Sequence, residues 1–251
     1  MRGLFKRLHC WSIVRAHLAE HGAFAFRGGT VQIPSSIDVK IRSQVATGQY
    51  ENAECELIEA FLPRDQPVVE LGGCLGIVSS VIARHLEPGV TFSVTEANPH
   101  LIDICSQNAT LNGTRRNVRL NCAAICYKND NVDFSVSKNV HVSQLGDAGR
   151  KRNMRRIKVP AMKLSDVIEQ AGIDGNYSLI CDIEGAETEI FEKDAAALAR
   201  CDLVIVELHP RQYIQSGRSL DEVVGLIIQH GFTERRRVGD VFAFDRESPS
   251  K

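Results

Sequence analysis

From about residue 54 onward, short apolar runs alternate with longer segments whose apolar residues recur three and four apart. Those are the signatures of buried strands and amphipathic helices. Glu54 to Leu62 has helical spacing, Pro67 to Leu71 is a short apolar strand ending in glycines, and Leu75 to Leu86 is a helix carrying Ile77, Val81 and Ile82 inward. Thr91 to Ala97 is a second strand. Pro99 to Leu111 is a second helix, with Pro just inside its start and Asn112-Gly113 just past its end. Val118 to Ile125 is a third strand. Residues 127–158 break the rhythm: Val132, Phe134 and Val136 alternate with polar residues, predicting one small extra strand, followed by a polar loop with the basic run Arg150 to Lys158. Helices over Leu164 to Ala171, Ala186 to Leu198 and Ser219 to His230 then flank strands over Ser178 to Ile183 and Asp202 to Leu208. Phe232 to Val238 and Val241 to Phe244 bracket Gly239-Asp240, a hairpin signal. The whole predicts an α/β fold, a doubly wound (Rossmann-like) parallel sheet closed by a terminal antiparallel hairpin. Residues 1–53 are less regular, with a hairpin expected from Phe24 to Ile33 around Gly28-Gly29. They are assigned to an N-terminal cap, and residues 54–251 to the main domain.

Composition narrows the functional classes. Of 251 residues, 43% are hydrophobic and 24% charged, and 30 Lys+Arg against 31 Asp+Glu leave a net charge of -1. A whole-molecule positive field for nucleic acid or an anionic membrane is therefore excluded. No apolar run approaches the roughly 20 residues that cross a bilayer. Met1 to Phe26 lacks the apolar stretch of a signal peptide and is read as an amphipathic structural segment. Cys10, Cys55, Cys74, Cys105, Cys122, Cys126, Cys181 and Cys201 form no C-x-x-C pair and mostly lie in apolar runs. That is the distribution of buried free thiols, and a cytoplasmic location is expected.

The most informative segment is Val68-Val69-Glu70-Leu71-Gly72-Gly73-Cys74-Leu75-Gly76, a strand, an acid, a glycine turn and a helix. Glycines let backbone approach a ligand, and a helix N-terminus favours negative charge on it. A dinucleotide turn reads G-x-G-x-x-G. Here Gly72 and Gly76 lie four apart, and Cys74 stands where the middle glycine belongs. Glu70 just before the turn repels a pyrophosphate and attracts an ammonium group. A ligand with both an α-amino and a carboxylate group suits the turn better, and S-adenosylmethionine is one. Glu96, twenty residues beyond Gly76 at the end of the second strand, can accept from both hydroxyls of a ribose. The small residues of Asn121-Cys122-Ala123-Ala124 leave room for an adenine ring, with simple core packing as the alternative.

Open α/β sheets bind ligands beyond the carboxyl ends of their strands. Asp182 and Glu184 end one strand, and Glu207 and His209 the next, so the four converge on one mouth. Glu187 is read equally as a helix cap. One use of the cluster is a general base on a hydroxyl, by a carboxylate or by His209. Another is a hard divalent cation that orients a diol. The base or orienting role is preferred, with Asp182, Glu184 and His209 as catalytic candidates and no metal assigned.

These residues resemble the FkbM-type family of S-adenosylmethionine-dependent methyltransferases over roughly residues 48–245. The resemblance is carried by Gly48-Gln49-Tyr50-Glu51, by Glu70-Leu71-Gly72-Gly73-Cys74-Leu75-Gly76, and by Glu96-Ala97-Asn98-Pro99. Asn108 with Asn112-Gly113, Leu164-Ser165-Asp166, Asp182-Ile183-Glu184-Gly185-Ala186-Glu187 and Glu207-Leu208-His209-Pro210 extend it. It implies a seven-stranded methyltransferase sheet, S-adenosylmethionine as cofactor, and O-methylation of a small-molecule or carbohydrate hydroxyl. By that resemblance Glu70, Gly72, Gly76 and Glu96 take cofactor roles, while Asp182 and Glu184 fall beside the transferring methyl; Ala97, Asn98, Ala123 and Asp182 are further cofactor-binding candidates. Two departures stand out: Glu70 where the family more often has Asp, and Cys74 where it has Asn. Two other functions compete. A methyltransferase acting on nucleic acid or protein would use the basic 150–158 loop, though no aromatics interleave that run to stack on bases. A non-catalytic nucleotide-binding module is the other. His141, upstream of the run, is read as a surface residue.

Overall fold

The computed structural model describes residues 2–18, 22–111, 117–137, 144–145 and 154–246. In chain order, helix α1 (Arg2–His17) leads to a hairpin of β1 (Ala23–Phe26) and β2 (Gly29–Gln32), then to α2 (Val39–Ala46) and α3 (Asn52–Phe61). The first half continues through β3 (Val68–Leu71), α4 (Ile77–His85), β4 (Thr91–Glu96), α5 (Ile102–Leu111), β5 (Asn117–Cys122) and β6 (Ala124–Ile125). After β7 (Asn131–Ser137), β8 (Gln144–Leu145) and β9 (Met154–Met162) come α6 (Leu164–Ala171), β10 (Tyr177–Cys181), α7 (Glu187–Lys193) and α8 (Ala195–Leu198). The chain closes with β11 (Cys201–Glu207), α9 (Pro210–Gln215), α10 (Leu220–Gln229), β12 (Thr233–Val238) and β13 (Val241–Asp245).

Strands β3, β10 and β11 are mostly apolar and almost wholly buried because helices cover both of their faces. They form the centre of a seven-stranded sheet in the order β12-β13-β11-β10-β3-β4-β5. β13 runs antiparallel to β11 and β12, and the remaining pairs are parallel. Side chains alternate between faces along each strand. Val68, Phe92 and Val94 therefore pack with Leu57, Ile58, Val81 and Ile82 on one face. Val69, Leu179, Val204 and Phe244 pack with Val167, Ile190, Val223 and Ile227 on the other. The strand order reverses between β3 and β10, and a crevice opens there at the carboxyl ends.

The N-terminal hairpin is fastened to this frame by Asn108, and also by Gln107 at Gln32 and by Arg84, Glu59 and Asn52 at Arg27. Asn108, fully buried on α5, accepts from the Gln32 amide at 2.7 Å and donates to the Gln32 and Leu75 carbonyls, both at 2.8 Å. Val14, Phe24 and Val31 share one buried cluster with Leu75 and Ile82. Leu8 and Trp11, by contrast, are exposed on α1.

Several boundaries differ from the sequence expectation. Pro99 lies in a turn ahead of α5, which begins at Ile102. The third strand is interrupted at Ala123: β5 stays in the main sheet and β6 joins a second, four-stranded sheet ordered β6-β9-β7-β8. That sheet replaces the single extra strand expected after residue 127. Residues 154–158 of the basic run are part of β9, not of a loop, and pair with β7. Arg155, Arg156 and Lys158 are exposed there while Val159 is buried. Arg150, Lys151, Arg152, His141 and Asn112-Gly113 lie outside the described residues. The helix expected over 186–198 is broken at Asp194, whose carboxylate accepts from the Tyr127 hydroxyl and the Ser165 amide. The eight cysteines are free thiols. Among the described residues no helix is long and apolar enough to cross a membrane.

Candidate active site

The turn after β3 packs against two neighbouring strands at once. The Gly72 and Gly73 amides both donate to the Thr95 carbonyl of β4, at 2.8 and 3.1 Å, and the Asp182 amide donates to the Leu71 carbonyl at 2.9 Å. Gly72 has φ +95°, and a Cβ there would lie 1.8 Å from the Asp182 carbonyl oxygen. Cys74 is itself in the left-handed region at φ +46°. It is held there by its amide, which donates to Glu96 Oε2 at 2.7 Å. Glu96 Oε1 accepts from the Asn98 amide at 2.6 Å. One carboxylate at the end of β4 thus ties the glycine turn to the β4–α5 turn. Burial raises its pKa against the lowering effect of these amides.

At the end of β10 a second buried carboxylate plays the same part. Glu187 is 0% exposed. Its Oε1 accepts from the Ile183 amide (3.2 Å), the Gly185 amide (3.0 Å) and His209 Nδ1 (3.1 Å). Its Oε2 accepts from the Tyr213 hydroxyl at 3.0 Å. This fixes a strained loop, with Glu184 at φ +56° and Gly185 at φ +102°. It also turns His209 Nε2 toward Asp182 Oδ1 (3.4 Å) and Glu184 Oε2 (3.6 Å). Burial pulls the imidazolium pKa down, but the Glu187 hydrogen bond and the charges of Glu187, Asp182 and Glu184 outweigh it and lift His209 to about 10. Burial, then the Glu207 charge, pushes Asp182 well above the usual carboxylate range. Glu51 is raised to about 7 by burial and by Glu207 and Glu184.

A cavity runs along these strand ends. Gly72, Gly73 and Cys74 form its floor, Glu96 and Ala97 one side, and Ala123, Ala124, Ile125 and Phe134 a small apolar wall. Asp182, Ile183 and Glu184 close the far end, and Tyr50, Glu51 and Glu54 cover it from the start of α3. Its acidic lining residues are Glu51, Glu54, Glu96, Asp182 and Glu184, and no Lys or Arg lines it.

Of the sequence candidates, Gly72, Glu96, Ala97, Ala123, Asp182 and Glu184 therefore meet in one cavity, and His209 touches its far end. Gly76 sits outside it as the left-handed N-cap of α4, pressed against the Cys105 backbone. Asn98 is buried and shapes the β4–α5 turn. Glu70 points away, beneath α4, where the Ser79 hydroxyl donates to its Oε2 at 2.6 Å. Burial drives its carboxyl up to about 8, against that hydrogen bond. Sequence reasoning gave no role to Glu54. It noted Tyr50 and Glu51 only as part of a family element, and it missed Glu187 as the organiser of the loop at 183–185.

The Glu70 environment has a measurable consequence. A carboxyl that holds its proton more tightly when folded adds stability at low pH, and this is lost as pH rises through the folded value. The urea midpoint should therefore fall between about pH 5 and about 8 more steeply in the parent than in Glu70→Gln. Parallel curves would dissociate Glu70 from the pH dependence.

The sheet order, with its antiparallel β13 inserted beside β11, and the strand-end cavity define the Rossmann-like methyltransferase class. The chain belongs to the FkbM methyltransferase family: the family's Methyltransferase FkbM domain matches residues 70–234. Similar solved structures include the ribosomal protein L11 methylase of Lactobacillus delbrueckii subsp. bulgaricus, at 15% identity, 80% of each chain and TM-score 0.48. A methyltransferase from Pyrococcus furiosus matches at 12% identity over 98% of this chain and 99% of that one, TM-score 0.46. Magnesium protoporphyrin IX methyltransferase from Synechocystis PCC 6803, with bound SAH, matches at 10% identity over 95% of each chain, TM-score 0.45. No curated protein matches the chain.

Proposed function

We propose that this methyltransferase moves the methyl group of S-adenosylmethionine onto a hydroxyl of a small molecule or glycan. The observation that carries the reading is a cavity lined by five carboxylic side chains and by no Lys or Arg. A pyrophosphate would meet Glu51, Glu54, Glu96, Asp182 and Glu184 with no Lys or Arg in the lining to offset them, whereas a ligand bearing an ammonium and a sulfonium suits an acidic lining. The donor set also fits the nucleoside end. Glu96 keeps lone pairs free for a ribose diol beyond the two amides it holds. Ala97, Ala123 and Ala124 leave a thin apolar slot for adenine.

The bound cofactor supplies an electrophilic methyl on a good leaving group. The chain then has to position the acceptor, exclude water and remove one proton. Glu184, at the rim with 31% of its side chain exposed, takes the hydroxyl proton. Asp182 orients the acceptor from the strand end, and His209, steadied by Glu187, stands against both carboxylates. Residues 1–53 serve as the cap, carrying Tyr50 and Glu51 over the cavity.

Calorimetry and a panel of polyhydroxylated acceptors, read by a mass gain of one methylene, test the reading. Glu96→Ala should weaken cofactor affinity by about 10–100-fold, since it strands two amides as well as the ribose hydroxyls. Glu184→Gln should lower turnover by about 100-fold or more while sparing cofactor affinity. Unchanged affinity in the first variant, or unchanged turnover in the second, would remove that residue from its role.

A further inference from the structure

We propose that Asp182, Glu207 and His209 form a divalent-cation site at the mouth of the cavity, suited to Mn2+ or Mg2+. One ligand atom from each residue lies within 4.8 Å of the others. Ligands on opposite sides of an ion bound at about 2.1–2.5 Å stand about 4–5 Å apart, and adjacent ones about 3–3.5 Å. The 3.4 Å between His209 Nε2 and Asp182 Oδ1 matches such an adjacent pair. It is too short to hold an ammonium group, whose acceptors at about 2.9 Å each stand nearly 5 Å from one another.

Two further observations point to a ligand here. Asp182 Oδ1 is shielded from solvent and receives no hydrogen bond. Glu54, 3% exposed, lines the same cavity with no hydrogen-bond or ion-pair partner among the described residues. The charges of Glu51, Asp182 and Glu207 all bear on it. Glu54, which is buried, and Asp182, whose side chain is 28% exposed, face one space beside the His209 imidazolium, and a divalent cation that displaces the Nε2 proton would offset more of their charge.

The imidazole is also set for coordination. Glu187 accepts from His209 Nδ1 at 3.1 Å, which leaves Nε2 as the atom facing the carboxylates. A carboxylate holding the far nitrogen of a ligating histidine is the usual outer-shell arrangement. Two oxygens and one nitrogen suit a hard ion, and three protein ligands leave about three positions of a six-coordinate sphere open. Those positions fit two neighbouring oxygens of an acceptor diol. This last step rests on the methyl-transfer reading above, and it makes the acceptor a vicinal diol or a hydroxy-carbonyl compound. The ion lowers the pKa of the hydroxyl it binds, and Glu184 takes the proton released.

The test uses Mn2+ itself as probe, followed by the loss of its free electron-spin signal on adding the full-length protein. One ion per chain should bind in the micromolar to submillimolar range, displaced by Mg2+. Asp182→Asn and Glu207→Gln should each weaken binding by about tenfold or more. Glu187→Gln, which touches no ligand position, should weaken it by about 10–100-fold through the imidazole. Circular dichroism confirms that each variant is folded. No saturable binding by the parent protein, or equal binding by folded Asp182→Asn and Glu207→Gln, overturns the site. Binding that is lost in those variants, with no diol methylated under any ion, upholds the site and fails the acceptor reading. Methyl transfer that proceeds undiminished with a chelator, in a protein that binds no Mn2+, does the reverse.

Discussion

Gly72→Ala is expected to be the most damaging single-atom change in this chain. The added Cβ would sit 1.8 Å from the Asp182 carbonyl oxygen and 2.8 Å from its carbon. Both atoms are backbone, so no rotamer relieves the overlap. β3 and β10 would have to part at the one place where the strand order reverses, breaking the Leu71–Asp182 hydrogen bond and pulling the glycine turn from Thr95. The positive φ adds about 1–3 kcal/mol of strain to the overlap. A loss of about 4 kcal/mol or more is a large share of a typical domain's stability. Gly28→Ala isolates the conformational part, because Gly28 also has positive φ (+77°) but nothing within 4 Å of its Cβ. Urea unfolding should show a small drop for Gly28→Ala, about 1 kcal/mol, and a far larger one for Gly72→Ala. Equal drops would mean that the contact with Asp182 is not what demands glycine.

Glu187→Ala is the second. It leaves the Ile183 and Gly185 amides, His209 Nδ1 and the Tyr213 hydroxyl without their shared acceptor in a dry site. Removing one partner of such a buried charged network costs about 3–5 kcal/mol. It also frees the left-handed Glu184–Gly185 turn, so Asp182, Glu184 and His209 lose their relative positions. Glu187→Gln separates shape from charge. Its amide oxygen can face the two backbone amides and the imidazole, and its NH2 can face Tyr213, whose hydroxyl turns to accept. Gln should therefore keep the fold to within about 1 kcal/mol yet lose turnover, while Ala loses both. Urea midpoints alongside methyl-transfer rates make the comparison. Full activity in Glu187→Gln would reduce the carboxylate to a spacer.

These two residues mark where the sequence was readable and where it was not. The βα alternation, the Leu164–Ala171 helix and the hairpin at Gly239-Asp240 are written locally, in periodicity and turn chemistry, and the structure follows them. The second sheet was hidden because Arg155, Arg156 and Lys158 swamp the alternation that Ile157 and Val159 carry. The break at Asp194 answers to Tyr127 and Ser165, which are distant in sequence. Strand-end candidates such as Glu96 and Asp182 were legible because a parallel sheet always gathers those ends. Glu70 is two residues from Val68 and shares its face, so the same alternation that makes a strand turns it beneath α4. Glu51 and Glu54 could not be placed, because only packing brings α3 across the crevice.

The Asn108 side chain has a last implication. It grips both edges of Gln32 and the carbonyl of Leu75, so the hairpin, α5 and the glycine loop meet at its amide. Peeling the hairpin away would loosen the very floor on which a guest must rest. The hairpin is therefore joined to that floor as a buttress.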